Sequence, residues 1–467
     1  MVRRFIDRQK DKQTLQNEYD RQGSSFVVVY GRRRVGKTSL LSEFAKDKKH
    51  IYFLATEENN QQNLDAFRRL TAQELNNPLL AAASLEQWEP VFSVVAEAAA
   101  TEKLLLILDE FQYLGKANTA FPSILMRIWD NMLKDTNIML ILCGSLINMM
   151  TAQVLSYDSP LYGRRTAQIR MTQIPFSYYH EFMPTKTTDE QILSYAVTGG
   201  VPKYIEQFID TEDIYSAISR HVLSQNSFLY AEPEFLLSKE VSEIGSYFSI
   251  LKTIAAGSRK LSEIASRIEV RQTNLTRYLK TLADLDLVER EVPVTEENAA
   301  KSKSGQYRIK DNFIRFWFLF VYPYRNLLET GQEAFVERRI RQHLIDSHVS
   351  YVYESVCHEQ LWERNGEFAE FDRIGRWWNK DTEIDIVAYH SAGKDMLFGE
   401  CKYSVQPKGV DVLTLLRKKA ILVPWNKDRR TEWFILFSRS GFTDELRQLA
   451  AMDSHIKLYT TADRSSD

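Results

Sequence analysis

The stretch Phe26-Val-Val-Val-Tyr-Gly-Arg-Arg-Arg-Val-Gly-Lys-Thr-Ser39 decides the fold of the amino-terminal half of this chain. The β-branched run at 26–30 predicts a buried strand, and the segment from Lys37 to Ala45 predicts a helix. Between them, Gly31 to Thr38 fits the pattern G-x-x-x-x-G-K-[ST] of a phosphate-binding loop. The strand–turn–helix context suits such a loop, because its glycines let backbone N–H groups converge on phosphate oxygens at a helix N-terminus.

Each residue of this loop has an expected contact with a bound nucleoside triphosphate. Lys37 is expected to reach the β- and γ-phosphates, and Thr38 to ligate Mg²⁺. A glycine-containing turn with a solvated basic run is the alternative interpretation. The predicted nucleotide-binding residues of the loop are Gly31, Arg32, Arg33, Arg34, Val35, Gly36, Lys37, Thr38 and Ser39.

Two further aliphatic runs end in polar residues. The run 104–108 ends in Asp109 and Glu110, which places both acids at the carboxyl edge of a strand beside the loop. Asp109 is expected to hold Mg²⁺ through water, and Glu110 to orient and polarise the attacking water as a catalytic residue. The run 138–143 is followed by a glycine and Ser145. Ser145 is therefore a candidate contact for the γ-phosphate or the attacking water, with a simple strand-ending turn as the alternative.

Strands and helices alternate through the first half of the chain, which predicts an α/β fold with a doubly wound parallel sheet. The 467 residues are enough for about three domains. The 60 basic and 62 acidic residues leave a net charge of −2, which argues against nucleic-acid binding through overall basicity and leaves room for local basic patches. A hydrophobic content of 44% excludes global disorder.

Cysteine spacing and hydropathy indicate the expected compartment. The three cysteines are far apart and form no C-x-x-C pair, which argues against a zinc ribbon or a disulfide framework and favours a reducing compartment. Residues 1–8 lack the long apolar region of a signal peptide, and the most apolar stretch, Phe313–Tyr324, is too short to span a bilayer. We therefore expect a cytoplasmic protein with no membrane partner.

Two adjacent arginines, Arg164 and Arg165, are candidates for neutralising charge in a phosphoryl-transfer transition state. One of them could act in the same chain or from a neighbouring copy. Arg165 is taken as the nucleotide-binding candidate, and an ordinary surface arginine is the alternative.

The first 235 residues resemble the AAA+-related P-loop ATPases called archaeal-type or DEXX-box ATPases, which are close to the signal-transducing STAND group. The resemblance rests on the stretches G-R-R-R-V-G-K-T, L-I-L-D-E-F-Q-Y-L, C-G-S, L-Y-G-R-R-T and G-G-V-P. It implies ATP as the bound nucleotide and a helical lid in which Gly200-Val201-Pro202 lies over it. Pro202 is the candidate nucleotide-binding residue of that lid, and a helix-breaking loop is the alternative.

Residues 239–311 predict a short helix at 261–265, a second helix at 271–283 and a β-hairpin, which is the element order of a winged helix. The segment holds 13 basic and 11 acidic residues, so its net charge gives little electrostatic support for DNA binding. Direct DNA contact and a structural coupling role both stay open. Side chains that can contact DNA grooves or phosphates are found on the second helix: Arg271, Gln272, Asn274, Arg277 and Lys280.

Acidic and apolar residues alternate along two predicted strands near the carboxyl terminus. Asp385 lies between two isoleucines and points away from the core, while Glu400 and Lys402 share one face of the next strand. If the turn between the strands is symmetric about the Ala392–Gly393 bond, Asp385 pairs directly opposite Glu400. Because like charges opposite one another destabilise a hairpin, we expect a divalent cation there, with Lys402 orienting the nucleophile or steadying developing charge.

The order Glu354, Asp385, Glu400-x-Lys402 resembles that of the PD-(D/E)xK restriction-endonuclease-like superfamily. The resemblance implies that Glu354, on the first core helix, joins Asp385 and Glu400 as a metal ligand. It also implies that these three acids and Lys402 are catalytic. A solvated hairpin face with an ordinary mixture of glutamate and lysine is the alternative.

Two neighbouring features bear on the same region. The stretch Trp377-Trp-Asn-Lys380 before the second acidic strand resembles the nuclease-like domain that follows such ATPases in many prokaryotic proteins. His358 lies four residues after Glu354 and could lean toward the same site, or be an ordinary core or surface residue.

The predicted function is an ATP-binding and ATP-hydrolysing protein whose nucleotide state controls a Mg²⁺-dependent nuclease-like domain that acts on DNA. The alternative is an ATP-driven switch or regulator whose carboxyl-terminal domain binds nucleic acid or protein without cutting. A ring-forming remodeller is a third possibility, and self-association stays open. The expected partners are ATP, ADP and DNA. The predicted segments are the ATPase core at 1–170, a helical lid at 171–238, a winged helix at 239–311, an aromatic connector at 312–335 and a nuclease-like α/β domain at 336–467.

Overall fold

The computed structural model describes residues 6–211 and 213–463. Residues 1–5, which belong to the stretch considered for a signal peptide, lie outside the described residues. The chain divides into two compact units, residues 1–173 and 174–467. Across the described part of the chain, no helix is both long enough and apolar enough to cross a bilayer.

The first unit alternates helices with the strands of one sheet. Its strands are β1 (Ser25–Tyr30), β2 (His50–Leu54), β3 (Leu104–Asp109), β4 (Ile138–Gly144) and β5 (Ala167–Arg170). Its helices are α1 (Gln9–Asp20), α2 (Lys37–Ala45), α3 (Asn60–Glu74), α4 (Pro78–Ala82), α5 (Glu89–Thr101), α6 (Gln112–Ala117), α7 (Phe121–Ile128) and α8 (Ile147–Met150).

The sheet of the first unit is parallel throughout, in the order β2-β3-β4-β1-β5. Its strands are buried on both faces. Along β1, Phe26 and Val28 pack into one apolar cluster, while Val27 and Val29 pack into the cluster on the other side. This two-sided burial is why the strands are continuous apolar runs rather than alternating ones. The prediction of a doubly wound parallel sheet is confirmed.

The second unit begins with helices and ends with a mixed sheet. Its strands are β6 (Val288–Glu291), β7 (Gln306–Ile309), β8 (Arg373–Trp378), β9 (Glu383–Tyr389), β10 (Asp395–Lys402), β11 (Thr431–Ser438) and β12 (Ile456–Thr460). Its helices are α9 (Tyr179–Phe182), α10 (Thr188–Thr198), α11 (Pro202–Ile205), α12 (Ile214–Ile218), α13 (Glu232–Glu240), α14 (Ile244–Ala255), α15 (Leu261–Arg267), α16 (Gln272–Asp284), α17 (Asn312–Phe320), α18 (Arg325–Glu329), α19 (Glu333–Leu344), α20 (Ser350–Glu363), α21 (Val410–Ala420) and α22 (Asp444–Met452).

The middle of the second unit contains α15, α16 and a two-stranded antiparallel sheet of β6 and β7. These elements match the predicted short helix, second helix and hairpin. Leu275, Leu279 and Leu282 form the buried stripe of α16. The five polar side chains that the sequence predicts as DNA contacts are exposed on its other faces.

The carboxyl-terminal sheet has the order β12-β11-β10-β9-β8. Strand β9 pairs antiparallel with both β8 and β10, whereas β11 pairs parallel with both β10 and β12. The sequence interpretation missed β8, because the pairing register shifts between Gly375 and Trp377 and breaks the simple alternation. This sheet, with α20, α21 and α22, forms a second α/β assembly.

The aromatic segment that the sequence assigns to a connector is a core element of the second unit. Its main helix, α17, begins at Asn312, where the Asp311 side chain accepts a hydrogen bond from the backbone of Ile314 at 2.7 Å. Trp317 is fully buried and donates from Nε1 to the backbone oxygen of Tyr230 at 2.8 Å. The finer division of the chain into five segments stays a prediction.

Candidate functional site

The loop between β1 and α2 follows a path that favours glycine at two positions. Gly31 has φ +155° and Gly36 has φ +98°, values that residues with a Cβ adopt only at a cost. A Cβ on Gly31 would also lie 2.2 Å from the backbone oxygen of Met171. The loop therefore packs directly against the chain that leaves β5, and it leads into the first turn of α2, where free N–H groups favour an anion.

Lys37 occupies the first position of α2 and is buried. Its Nζ donates to the backbone oxygens of Gly31 at 2.8 Å and of Arg32 at 2.9 Å. Burial lowers the pKa of this ammonium group, because the low-dielectric surroundings disfavour its charge. The Lys37 amine thus donates hydrogen bonds to the backbone of its own loop. A phosphate oxygen can replace one of these carbonyls as the acceptor.

Asp109, at the carboxyl end of β3, collects donors on both carboxylate oxygens. Its Oδ2 accepts from the Thr38 hydroxyl at 3.2 Å and from the Tyr52 hydroxyl at 2.7 Å, and its Oδ1 accepts from the Glu110 backbone N–H at 2.8 Å. The predicted partners Thr38 and Asp109 are therefore in contact. Hydroxyl and carboxylate oxygens are the ligand atoms that Mg²⁺ prefers, so the pair fits the predicted magnesium ion.

Glu110 adopts φ +53°, an uncommon backbone conformation for a residue with a side chain. Its carboxylate accepts from the Ser145 hydroxyl at 2.7 and 3.0 Å, and from the side-chain amide of Gln112. The structure thus brings Glu110 and Ser145 together at the carboxyl ends of two neighbouring strands. In this arrangement the Ser145 hydroxyl and the Gln112 amide both donate to the carboxylate of Glu110, the predicted catalytic residue.

The remaining loop residues are anchored from outside the motif. Arg33 donates to the Tyr113 hydroxyl at 2.7 Å. Arg8 is buried and donates to the backbone oxygens of Val35, at 3.3 Å, and of Thr172. Arg8 therefore joins the loop to the end of the first unit, a contact that the sequence interpretation missed.

Arg165 lies at the opposite end of the sheet from the loop. The backbone N–H of Thr166 donates to Phe26, and Ala167 pairs with Val27, so Arg165 lies beside the amino-terminal end of β1. The phosphate-binding loop begins past the carboxyl end of that strand, about 17 Å away at ordinary strand rise. Arg165 is therefore distant from the loop of its own chain along β1, and its role toward nucleotide, in the same chain or in a neighbouring copy, stays a prediction.

Arg164 is engaged within its own unit. Its Nε and Nη2 donate to the Asp130 carboxylate at 3.0 and 2.6 Å. This bidentate ion pair is half-buried and gives Arg164 a structural role in the first unit.

Pro202 belongs to the second unit, where it begins the one-turn helix α11. The glycine pair before it is constrained: a Cβ on Gly200 would lie 1.9 Å from the backbone oxygen of Ile174, and the Ile174 N–H donates to Gly200 at 2.8 Å. The segment is therefore a close backbone crossing at the start of the unit. The role of Pro202 toward nucleotide stays a prediction.

The hairpin of β9 and β10 has the register that the sequence predicts. Val387 pairs with Phe398 and Ile386 with Gly399, and the same offset continued by one residue sets Asp385 opposite Glu400. At that point the Asp385 side chain replaces the backbone as acceptor: its Oδ2 accepts from the Cys401 N–H at 2.9 Å.

Glu400 is buried and is held by two lysines. Its carboxylate accepts from Lys402 Nζ at 2.6 Å and from Lys419 Nζ at 3.1 and 3.2 Å. Lys402 is on the same strand and confirms the predicted shared face. Lys419 comes from α21 and was not anticipated. The ammonium groups of Lys402 and Lys419 therefore compensate the negative charge of the buried Glu400 carboxylate.

Asp385 is held next to negative charge. Burial, together with the charges of Glu354 and Glu400, raises the pKa of Asp385 to about 7. Lys402 opposes this shift, but it does not outweigh the burial. A carboxyl group with so high a pKa is a common feature of metal and catalytic sites.

Glu354 on α20 forms an ion pair with Arg376. Its Oε2 lies 2.8 Å from Arg376 Nη1, and Arg376 also contacts Glu383. Throughout 6–211 and 213–463, no three His, Cys, Asp or Glu side chains are placed to hold one metal ion. The expected convergence of Glu354, Asp385 and Glu400 on a cation is therefore not formed in this arrangement. Their oxygens are suitable donors for Mg²⁺, but the glutamates would first have to leave their basic partners.

His358 is half-buried and contacts the backbone of β9. Its Nε2 lies 2.7 Å from the backbone oxygen of Asp385. Burial lowers the pKa of His358 to about 4, so the ring is neutral at physiological pH. The ring nitrogen that faces the site is thus occupied by the backbone, which agrees with the structural interpretation of this histidine.

The chain is similar to the uncharacterized protein MJECL04 of Methanocaldococcus jannaschii. The two chains are 35% identical over 402 residues, which is 85% of this chain and 87% of that protein. The chain belongs to the same family as MJECL04. Residues 5–208 match a family model described as an ATPase domain predominantly from Archaea. Residues 317–413 match a second family model, described as archaeal and bacterial proteins of unknown function.

Two further matches concern the ATPase half. The family member is 36% identical over 45 residues to the uncharacterized ATP-binding protein MJ0423 of M. jannaschii, which is 10% of this chain and 76% of that protein. Among solved structures, the Walker-type ATPase PABY2304 of Pyrococcus abyssi aligns with a TM-score of 0.51 at 17% identity, over 68% of this chain and 96% of that chain. At this identity the likeness establishes the fold. The amino-terminal half of this family member is thus a P-loop ATPase domain.

Several site residues of this family member escaped the sequence interpretation. They are Arg8, Tyr52, Gln112, Arg376 and Lys419. Apart from Gln112, each of them contacts its site across residues that are distant in sequence. Only Gln112, two residues after Glu110, carried a local signal, as the Q of the D-E-F-Q stretch.

Proposed function

We propose that this ATPase uses its nucleotide state to control a Mg²⁺-dependent, nuclease-like site in its carboxyl-terminal α/β assembly, and that the substrate is DNA. The observation that carries the proposal is the hairpin register that sets Asp385 opposite Glu400, with Lys402 on the same face. Like charges directly opposite one another destabilise a hairpin, and a divalent cation would lower that cost further than the two lysines do. Acids of this kind can hold a divalent cation that polarises a phosphodiester, and a lysine beside them can steady the developing charge.

In the ATPase half, each predicted residue has a defined task. The loop N–H groups bind phosphate, Lys37 balances the charge of the β- and γ-phosphates, and Glu110 orients water once Ser145 and Gln112 release it. Thr38 and Asp109 would hold Mg²⁺, which supplies charge neutralisation on the transferring phosphoryl group. The other named residues of the loop bind the nucleotide through their backbone.

The element order of the carboxyl-terminal assembly supports the nuclease-like assignment. Helix α20, the antiparallel strands β8, β9 and β10, helix α21 and the parallel strand β11 follow one another along the chain. This order resembles the core of the PD-(D/E)xK superfamily, with Glu354 on the first helix, Asp385 on the second strand and Glu400 on the third. Because folds host many functions, the cleavage itself is the part that needs testing.

A winged helix at α15, α16 and the β6–β7 hairpin would present DNA to this site. The exposed polar face of α16 supports this role. The hairpin also contacts the core helix of the nuclease-like assembly: Arg308 on β7 donates to the Tyr351 hydroxyl at 2.7 Å and to Ser355 at 3.1 Å. A rigid contact of this kind would fix the angle between bound DNA and the acids.

Contacts inside the second unit offer a route for control. The backbone N–H groups of Phe176 and Ser177 donate to Glu359 on α20 at 3.1 and 2.7 Å. Asp189 at the start of α10 accepts from Arg439 at 2.7 Å and from Tyr403, the residue after Lys402. A change in the segment 174–200, which directly follows the strand beside the phosphate-binding loop, would thus reach both α20 and β10.

The test is strand cleavage of DNA with Mn²⁺ or Mg²⁺ by the wild type and by the Asp385→Ala and Lys402→Ala variants, purified identically. Cleavage that both variants lose supports the proposal. Equal cleavage by all three proteins would identify the activity as a contaminant. A Lys380→Ala variant, which changes an exposed lysine outside the acid cluster, is the matched control.

The second candidate function is an ATP-driven switch whose carboxyl-terminal assembly binds nucleic acid or protein without cutting. The observation that favours it is the pairing of Glu400 with two lysines and of Glu354 with Arg376, which leaves no metal site formed. Tight, slowly exchanging nucleotide would fit this switch, whereas turnover stimulated by DNA would fit the nuclease. A ring is a third arrangement, in which Arg165 acts on the nucleotide of a neighbouring copy, and sizing in the presence of ATP tests it.

A further inference from the structure

Tyr52 is a residue of the nucleotide site that no sequence motif marks. It lies on β2, the edge strand next to β3. Its ring packs against the apolar cluster that contains Leu41 and Ile107, so packing fixes the direction of the side chain. Its hydroxyl reaches past Ile107, its partner in the sheet, to the acid at the end of β3.

The Tyr52 hydroxyl makes the shortest of the three described hydrogen bonds to the Asp109 carboxylate. It donates to Oδ2 at 2.7 Å, whereas the Thr38 hydroxyl donates to the same oxygen at 3.2 Å. The other oxygen, Oδ1, accepts the Glu110 N–H at 2.8 Å. Donors on both oxygens leave the carboxylate plane little freedom to rotate.

We propose that Tyr52 is a positioning residue of the ATPase: its hydrogen bond turns Asp109 toward Thr38, in the orientation needed to hold the Mg²⁺ of a bound nucleotide. The proposal rests on the nucleotide site described above and adds a residue to it. Partners that orient metal-binding carboxylates commonly account for 10- to 100-fold in metal affinity. A tyrosine is suited to the task because its rigid ring carries the hydroxyl across one strand spacing without a flexible chain.

The surroundings of Asp109 agree with this role. The buried thiol of Cys143 on β4 is also a neighbour of Asp109. The side chains of Tyr52, Thr38 and Cys143 thus surround the carboxylate, and its orientation depends on the donors that these neighbours offer.

The alternative is a purely structural hydrogen bond that fastens β2 to β3. The two roles differ in what they predict for metal and nucleotide. A structural bond would change stability and leave the metal affinity of the folded protein unaltered. A positioning bond would weaken the metal selectively, because the loop N–H groups and Lys37 still bind the phosphates.

The experiment titrates Mn²⁺ into the full-length Tyr52→Phe protein saturated with ADP and follows free Mn²⁺ by electron paramagnetic resonance. The expected result is a Kd for Mn²⁺ raised about tenfold, with ADP affinity in EDTA within twofold of the wild type. Tyr19→Phe is the matched control, since its ring also packs on the first unit, against Phe44, away from the site. The Mg²⁺ concentration for half-maximal ATPase rate should rise as well, while kcat at saturating Mg²⁺ recovers.

Two results would count against the proposal in different ways. An unchanged Mn²⁺ Kd in a folded Tyr52→Phe protein overturns the role of Tyr52 and leaves the nucleotide site intact. A wild type that binds no Mn²⁺–ADP overturns the site itself. Replacement of Tyr52 by 3-fluorotyrosine, which keeps both ring and hydroxyl, should restore wild-type Mn²⁺ binding, and failure to restore it would contradict a role for the hydroxyl.

Discussion

Asp189 and Arg439 form an ion pair although they lie 250 residues apart in the chain, with Arg439 Nη2 2.7 Å from Asp189 Oδ2. Asp189 occupies the first turn of α10, a helix begun by the capping box of Thr187 and Glu190. The backbone N–H of Arg439 donates to the Lys402 oxygen at 3.0 Å. The pair therefore joins the start of a helix to the strand end that carries the predicted catalytic lysine.

Replacing Asp189 by asparagine is expected to loosen the end of β10. The amide keeps the shape of the side chain but removes the charge that holds the Arg439 guanidinium, and a hydrogen bond to a charged group contributes about 1.5–3 kcal/mol. Hydrogen–deuterium exchange of peptides that contain Tyr403 should accelerate about tenfold or more. Asp210→Asn, an exposed acid in the same unit, is the control. Equal exchange in wild type and Asp189→Asn would contradict the coupling.

Gly200→Ala is expected to destabilise the protein by about 1–3 kcal/mol. The new methyl group would meet the Ile174 backbone, with its oxygen only 1.9 Å away, so one of the two backbone segments must move. Gly245→Ala in α14 is the matched control, because nothing lies within 4 Å of its added Cβ and alanine favours a helix. Thermal unfolding should show a lower Tm for the first variant and an equal or higher Tm for the second.

The raised pKa of Asp385 predicts a stability that falls as pH increases. A carboxyl group whose pKa is higher in the folded state than its ordinary 3.8 binds its proton more tightly when folded. Its stabilising contribution is fully present below about pH 4 and is lost as the pH passes through about 7. Asp385→Asn should therefore match the wild type at pH 4 and exceed it at pH 8, by at most about 4 kcal/mol.

Denaturant unfolding of both proteins at the two pH values measures this difference, and Asp381→Asn, an exposed acid on the preceding turn, controls for a general loss of negative charge. A difference that is the same at both pH values would show that Asp385 titrates normally. Added Mn²⁺ should reduce the difference in unfolding free energy between Asp385→Asn and the wild type at pH 8, because a cation stabilises the ionised carboxylate.

Lys37→Ala is expected to abolish ATP hydrolysis and to leave the fold intact. In the described hydrogen-bond network the amine donates to carbonyls of its own loop, Gly31 and Arg32, so its loss removes charge from the phosphate site without breaking a contact to another element in that network. Phosphate release and circular dichroism measure the two effects. Lys46→Ala, at the exposed end of the same helix, should retain full activity. ATP turnover by Lys37→Ala would contradict the role of this lysine.

The sequence predicted those features that depend on residues close together in the chain. The loop of Gly31 to Thr38, the strand that ends in Asp109 and the hairpin register of Asp385 all follow from residues adjacent in sequence or from one symmetric turn. The sequence also predicted the parallel sheet, because runs of apolar residues are buried on both faces.

Contacts between distant segments were not predictable in the same way. Tyr52 meets Asp109 across 57 residues, and Lys419 meets Glu400 only because α21 packs beside β10. Arg165 was a nucleotide-binding candidate because an arginine can neutralise charge in a phosphoryl-transfer transition state. The direction of β5 places it at the other end of the sheet, and strand order decides that, not spacing.

Nucleotide control of the carboxyl-terminal site is tested most directly by the rate of DNA cleavage by one preparation of wild-type protein in Mn²⁺ with ATP and then with ADP, repeated with Lys37→Ala. We expect that the rate depends on the nucleotide in the wild type, that this dependence disappears in Lys37→Ala, and that Asp385→Ala cleaves with neither nucleotide. A wild-type rate that is the same with ATP, with ADP and without nucleotide would contradict control of the carboxyl-terminal site by the ATPase.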